Sequence, residues 1–196
     1  DKKIINTNDC VLDKIKLEKI KKKFFIQNSD ILFTQFSYAS WIGNPKNKIL
    51  RQEAAKVKLD QIKSQIQYFK PKITIPFASF IYFCHEENKY MNDEITNIDN
   101  VRDVIKKNNS KPIFLYPGSS YEINNNKNNF ENDFLKYKRD FLNIASKEFI
   151  KTKKINFTEL TLNSENYLKK IKRKNGSLLM YLIYLISVSS SFLFRK

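Results

Sequence analysis

The chain has 196 residues and a formal net charge of +16, with 41% hydrophobic and 14% aromatic residues. That apolar share is enough to bury a core and excludes a disordered polyelectrolyte. Two cysteines outside any CxxC pair exclude a disulfide framework, and a single histidine excludes any site that needs several imidazoles.

The positive charge invites a nucleic-acid reading, but the composition argues against it. Lysine stands where arginine would give bidentate base or phosphate recognition, and the Lys/Asn/Ile/Phe bias is what an AT-rich coding sequence produces. With no paired cysteines and no signal peptide at its start, the chain reads as cytoplasmic. It begins without Met in what reads as a strand, which points to a fragment of a longer protein.

Residues 3–5 suggest a short strand, followed by Asn6-Thr7-Asn8-Asp9-Cys10 and a helix over 11–22 with apolar spacing at Leu12, Ile15 and Ile20. Asp9 reads either as the cap of that helix or as a site carboxylate at a strand end. Residues 30–36 form a buried strand. Residues 37–45 then make a loop holding the only Trp, Trp41, together with Tyr38 and Gly43.

Residues 46–69 predict a long helix with a mostly apolar stripe at Leu50, Ala54, Val57, Gln61, Ile62, Ile66 and Phe69. Pro71 closes it and residues 73–77 form the next strand, so strand, helix and strand make a parallel, right-handed βαβ unit. The apolar run ends in Cys84, His85, Glu86, Glu87 and Asn88, a cluster of polar side chains at a strand's carboxyl end. A helix from Asp99 to about Lys107 and a strand over 112–118 add a second αβ step. The fold class expected is α/β.

Residues 123–130 read as a polar linker, and residues 131–196 as a helical, basic extension. Within it, 134–147 is amphipathic, 155–162 alternates like a half-exposed strand, and 165–174 is a basic helix. Residues 177–194 carry no charge and lie between Lys172-Arg173-Lys174 and Arg195-Lys196. Length and flanks just meet the threshold for a membrane span. Ser187, Ser189, Ser190 and Ser191 with two tyrosines suit a buried strand or helix equally.

Three segments together resemble the second half of a metallo-β-lactamase-fold protein: INTNDC (5–10), DILFTQFSYASWIGN (30–44) and PFASFIYFCHEENKY (76–90). They are most similar to the metal-binding domain of CMP-N-acetylneuraminate hydroxylase-like proteins, over about residues 1–122. The resemblance implies the second αβ half of an αββα sandwich, with the N-terminal half of the same fold as its partner and a divalent metal, zinc or iron, at the edge between the sheets. It implies metal-assisted hydrolysis of a small-molecule substrate, a sugar or sugar nucleotide.

Carried over by position, Asp9 matches the metal-ligand Asp, and His85 matches the last His of the family, as ligand or as a group on the leaving oxygen. Tyr38, Trp41, Glu86 and Asn88 are the candidate substrate contacts; Trp41 packing over the sheet edge is the alternative. The family's HxHxDH motif does not occur in this sequence. The chain by itself is therefore expected to be inactive and to hold no metal. A basic, non-catalytic binding module for nucleic acid or an anionic membrane is the alternative reading.

Overall fold

The computed structural model describes residues 2–8, 10, 12–77, 82–123 and 130–193. They fall into two compact units, Asp1–Lys151 and Thr152–Lys196. The first contains a four-stranded, all-parallel sheet built from β1 (Ile4–Asn6), β2 (Ser29–Thr34), β3 (Pro71–Pro76) and β4 (Lys111–Pro112). Helices α1 (Lys14–Lys23), α2 (Lys48–Phe69) and α3 (Ile98–Lys107) connect them, and α4 (Phe130–Leu142) follows β4. The unit is α/β, as expected.

Strand order is simply β1-β2-β3-β4. Parallel neighbours joined in sequence by right-handed crossovers put all three connecting helices on one face. Register agrees: Ile5 pairs with Leu32, Leu32 with Thr74 and Thr74 with Pro112 on the helix side. The main core lies there, with Leu17 of α1, Leu32, Ile62, Ile66 and Phe69 of α2, Val101 and Ile105 of α3, and Phe134 and Tyr137 of α4.

The opposite face is thinner. It carries Ile31, Ile75 and Ile113, with Phe33, Ile73, Leu115, Tyr121 and Phe130 packed against them. Among the described residues the one helical residue packed against it is Phe130, the first of α4. On the edge strand Ile4, in register with Ile31, stays half-exposed.

Several local expectations shift for identifiable reasons. The cap of α1 is Asp13, whose carboxylate accepts the Lys16 N–H at 2.8 Å; Asp9 lies outside the described residues. The cap of α3 is Asn97, and Asp99 sits in its first turn. The strand expected over 112–118 pairs regularly only at Lys111 and Pro112. Pro112 has no N–H to give, though the Ile113 N–H still reaches the Thr74 carbonyl at 3.0 Å.

In α2 the expected stripe holds over the second half, at Ile62, Ile66 and Phe69, and departs over the first. Leu50 and Val57 are exposed, while Arg51, Ile62, Gln65, Ile66 and Phe69 are buried. The helix ends where Lys70 enters the left-handed region and Pro71 starts β3.

The first unit also runs further than composition suggested, because Phe134 and Tyr137 of α4 are part of its core. The expected linker residues 124–129 are outside the described set. The second unit contains α5 (Phe157–Asn175) and α6 (Ser177–Leu193). The strand expected over 155–162 is the start of α5. Asn156 caps it, its side chain accepting the Glu159 N–H at 2.7 Å, and this local bond favours helix over the alternating pattern. Among the described residues no helix is long and apolar enough to cross a membrane.

Candidate functional site at the carboxyl edge of the sheet

In a parallel sheet every strand delivers its following loop to the same edge, where open α/β proteins place their sites. Under that edge lies a buried polar knot. Gln65 of α2 points its Oε1 at the Thr34 hydroxyl (2.6 Å) and the Thr7 hydroxyl (3.0 Å), tying the ends of β1 and β2 to the helix. The Thr7 hydroxyl also lies 2.9 Å from the Phe33 carbonyl. All three side chains are buried, so each needs these partners.

The loop after β2 is clamped to the loop after β3 by Arg51, which is fully buried. Its Nε and Nη2 donate to the two carboxylate oxygens of Asp93, each at 2.7 Å. Nη1 donates to the Asn44 carbonyl at 2.9 Å and Nη2 to the Pro45 carbonyl at 3.1 Å. The guanidinium lies 5.1 Å from the Tyr90 ring centre, and the Tyr90 hydroxyl donates to the Gly43 carbonyl. The Asp93 hydrogen bonds raise the Arg51 pKa further, so it stays a cation at any working pH. Gly43 is needed where it is: its φ is +69°, and a Cβ there would meet the Asn47 Cβ at 2.7 Å.

The turn bearing the histidine is held mainly by backbone. Cys84 and Glu86 bracket Ile150: the Ile150 N–H donates to the Cys84 carbonyl at 2.8 Å and the Glu86 N–H to the Ile150 carbonyl at 3.0 Å. Asn88 Oδ1 accepts the His85 N–H at 3.2 Å, and the Asn92 amide pairs with both backbone groups of Phe83. A 3-10 helix, Lys89–Glu94, then leads toward α3.

His85 is half-buried, and among the described residues its imidazole has no hydrogen-bonding or ionic partner. Glu86 is exposed and paired with Lys89 at 2.5 Å, which holds its carboxyl below the usual range. Asn88 spends its side-chain oxygen on the turn.

Tyr38 is buried and donates to the Met91 carbonyl at 2.7 Å; burial first, then the nearby Asp93 charge, push its pKa up to about 12. It therefore supports the histidine loop as a neutral hydroxyl. Trp41 is 66% exposed on the loop after β2. The structure thus brings His85, Glu86 and Asn88 together on one turn and braces that turn through Tyr38. Asp9 and residues 78–81 lie outside the described residues.

Two adjoining hollows flank this loop. The larger, about 600 Å³, has an apolar floor of Ile98, Phe141, Ile144 and Phe149 and a polar rim of Lys89, Asn92, Asp99 and Lys138. Lys138 pairs with Asp99 at 2.9 Å. The smaller, about 180 Å³, shares Phe141 and Ile144 and is lined by Tyr82, Tyr116 and Tyr137 with Asp140 and Lys147. There the Tyr116 hydroxyl donates to Asp140 at 2.6 Å, which raises its pKa. None of Tyr38, Trp41, His85, Glu86 or Asn88 lines either hollow.

Sequence reasoning missed Arg51, Asp93, Asn92 and these linings. Only the lone arginine in the first turn of a lysine-rich helix would have flagged the clamp.

For a metal, among the described residues there is no group of three or more His, Cys, Asp or Glu able to hold an ion. The described residues do not fit a zinc or iron centre on their own. Comparison of the chain with protein-family models, with curated proteins and with solved structures finds no match.

Proposed function

We propose that the Asp1–Lys151 unit is the second αβ half of a metallo-β-lactamase-type sandwich. It would belong to a metal-dependent hydrolase or hydrolase-like protein that acts on a small molecule of sugar or nucleotide-sugar metabolism. One observation carries this reading: the two faces of the sheet are unequal. The helices cover one side, while the other bears the apolar set around Ile31, Ile75 and Ile113 with hardly any helix over it. A facing sheet is what such a surface accepts in an αββα sandwich.

On this reading the facing half brings the HxHxDH motif and most ligands of the zinc or iron, because the described residues of this chain do not make a centre. The metal, when bound, supplies an activated water. This chain contributes the sheet edge on which the two halves meet. Its Arg51–Asp93 clamp holds the loops after β2 and β3 together, and the turn presents His85, whose imidazole has no partner among the described residues. Lys89 and Lys138 on the rim of the larger hollow are each paired with a carboxylate, Glu86 and Asp99, which leaves polar groups of both signs for a small molecule. Two unpaired cysteines, Cys10 and Cys84, suit a reducing, cytoplasmic setting.

The test is the coding sequence upstream of Asp1, followed by metal analysis of the product of the whole reading frame. A strand-rich segment with HxHxDH in frame, and stoichiometric zinc or iron reduced by Asp9→Ala and His85→Ala, is the expected result. A start codon directly before Asp1 overturns the proposal.

A further inference from the structure

Among the described residues of the Thr152–Lys196 unit no side chain is buried. No residue of α5 is buried, and its stripe of Phe157, Leu160, Tyr167 and Leu168 is exposed. In α6 the run from Leu178 to Ile186 is exposed on every side of the helix, down to Leu185 at 44% and with Met180 the most sheltered. A helix that is apolar all round is not at rest in water; it belongs in a core or in lipid.

Charge says which cover fits. The last turns of α5 hold Lys169, Lys170, Lys172, Arg173 and Lys174, and no acidic residue follows Glu165 in the unit. We propose that this unit docks on an anionic lipid bilayer, with the basic end of α5 on the headgroups and α6 in the boundary beneath them.

Other covers satisfy only half of the surface. A second copy would bury α6 but bring five more cations to the same place. A nucleic acid would neutralise the cations and leave α6 in water. An anionic bilayer takes both, and Tyr181 and Tyr184 are residues that favour the headgroup boundary. At about 1.5 Å per residue the 17 described residues of α6 span about 25 Å, and among the described residues no helix is long and apolar enough to cross a membrane.

The experiment is flotation of the full chain with vesicles of phosphatidylcholine alone and of phosphatidylcholine with phosphatidylserine, at low and high salt. The chain is expected to float with the anionic vesicles and to be released by salt. A variant with K169Q, K170Q, K172Q, R173Q and K174Q should lose about tenfold or more in partitioning. A variant with L182D and I183D should not float at all. The fluorescence of Trp41 checks in each case that the first unit is folded.

A chain that stays unbound with anionic vesicles overturns the proposal. Equal binding to both vesicle types, unchanged in the glutamine variant, overturns it too. If L182D and I183D instead dissolve a dimer seen by light scattering, and no vesicle binds, the cover is a second copy and the proposal fails. None of these results depends on whether an HxHxDH half exists.

Discussion

Two kinds of helix occur in this chain, and they contrast sharply. Those of the first unit each place a few side chains at near-zero exposure against the sheet: Leu17 of α1, Ile62 and Phe69 of α2, Val101 of α3, Phe134 of α4. Those of the second carry apolar residues too, Phe157, Leu160, Tyr167 and Leu168 in α5 and Leu178 to Ile186 in α6, and bury none of them within α5. Apolar content therefore does not decide burial; the presence of a sheet to lie on does. The first unit uses its apolar residues for stability, and the second holds them free for a surface it does not contain.

The same substitution in both units breaks or sharpens that contrast most directly. Leu17→Ala should destabilise the first unit by about 3–4 kcal/mol, since it leaves a cavity in a closed core. Leu168→Ala, at a half-exposed position, should change stability by less than about 0.5 kcal/mol in solution. Denaturant midpoints read from Trp41, in the first unit, give the first number and the loss of helical circular dichroism gives the second, and equal losses would show that α5 has a core after all.

Next in size is the clamp. Arg51→Ala removes four donated hydrogen bonds and strands Asp93 and the carbonyls of Asn44 and Pro45. The cost should be about 3 kcal/mol, at the low end for a broken buried pair because Asp93 keeps a third of its side chain in water. Arg51→Lys should recover little, since an ammonium cannot reproduce the fork. Asp13→Ala, which uncaps α1, should cost about 1 kcal/mol by the same midpoint measurement.

How much of this was legible beforehand follows from what each signal depends on. The strands and helices around the crossover at 30–76 were readable because their apolar runs, Pro71 and the helical spacing are local features. Arg51 was not, because its burial depends on Asp93, forty-two residues on. The expected stripe therefore fails at Leu50 and Val57, near the clamp, while it holds at Ile62, Ile66 and Phe69. The strand expected at 155–162 failed because alternation was weighed above a cap: Asn156 followed by Glu159 is an N-terminal helix signature, and it prevailed. The polar turn at His85 was visible in the sequence. Its anchoring on Ile150 was not, since nothing local announces a single bridge between distant segments.

The smallest effect expected concerns pH and again separates the units. Asp133 of α4 is buried, which by itself would raise its pKa. Hydrogen bonds from the Ser119 hydroxyl, the Tyr116 N–H and Lys136 outweigh that and hold it below the usual range. A depressed folded-state pKa means that the stabilisation is present above the unfolded value, about 3.9, and is lost as pH falls through the folded value. At neutral pH Asp133→Asn should cost about 1 kcal/mol or slightly less, because an amide still accepts one of these bonds but without the charge. At acid pH, once the wild-type carboxyl is protonated, the difference between the two proteins should shrink toward zero. A series of Trp41-detected midpoints from neutral pH downward measures this. If the gap stays constant into acid, the carboxylate charge is not what Tyr116 and Lys136 hold. Over the same range α5 and α6 should show no matching change by circular dichroism, since Asp133 belongs to the other unit.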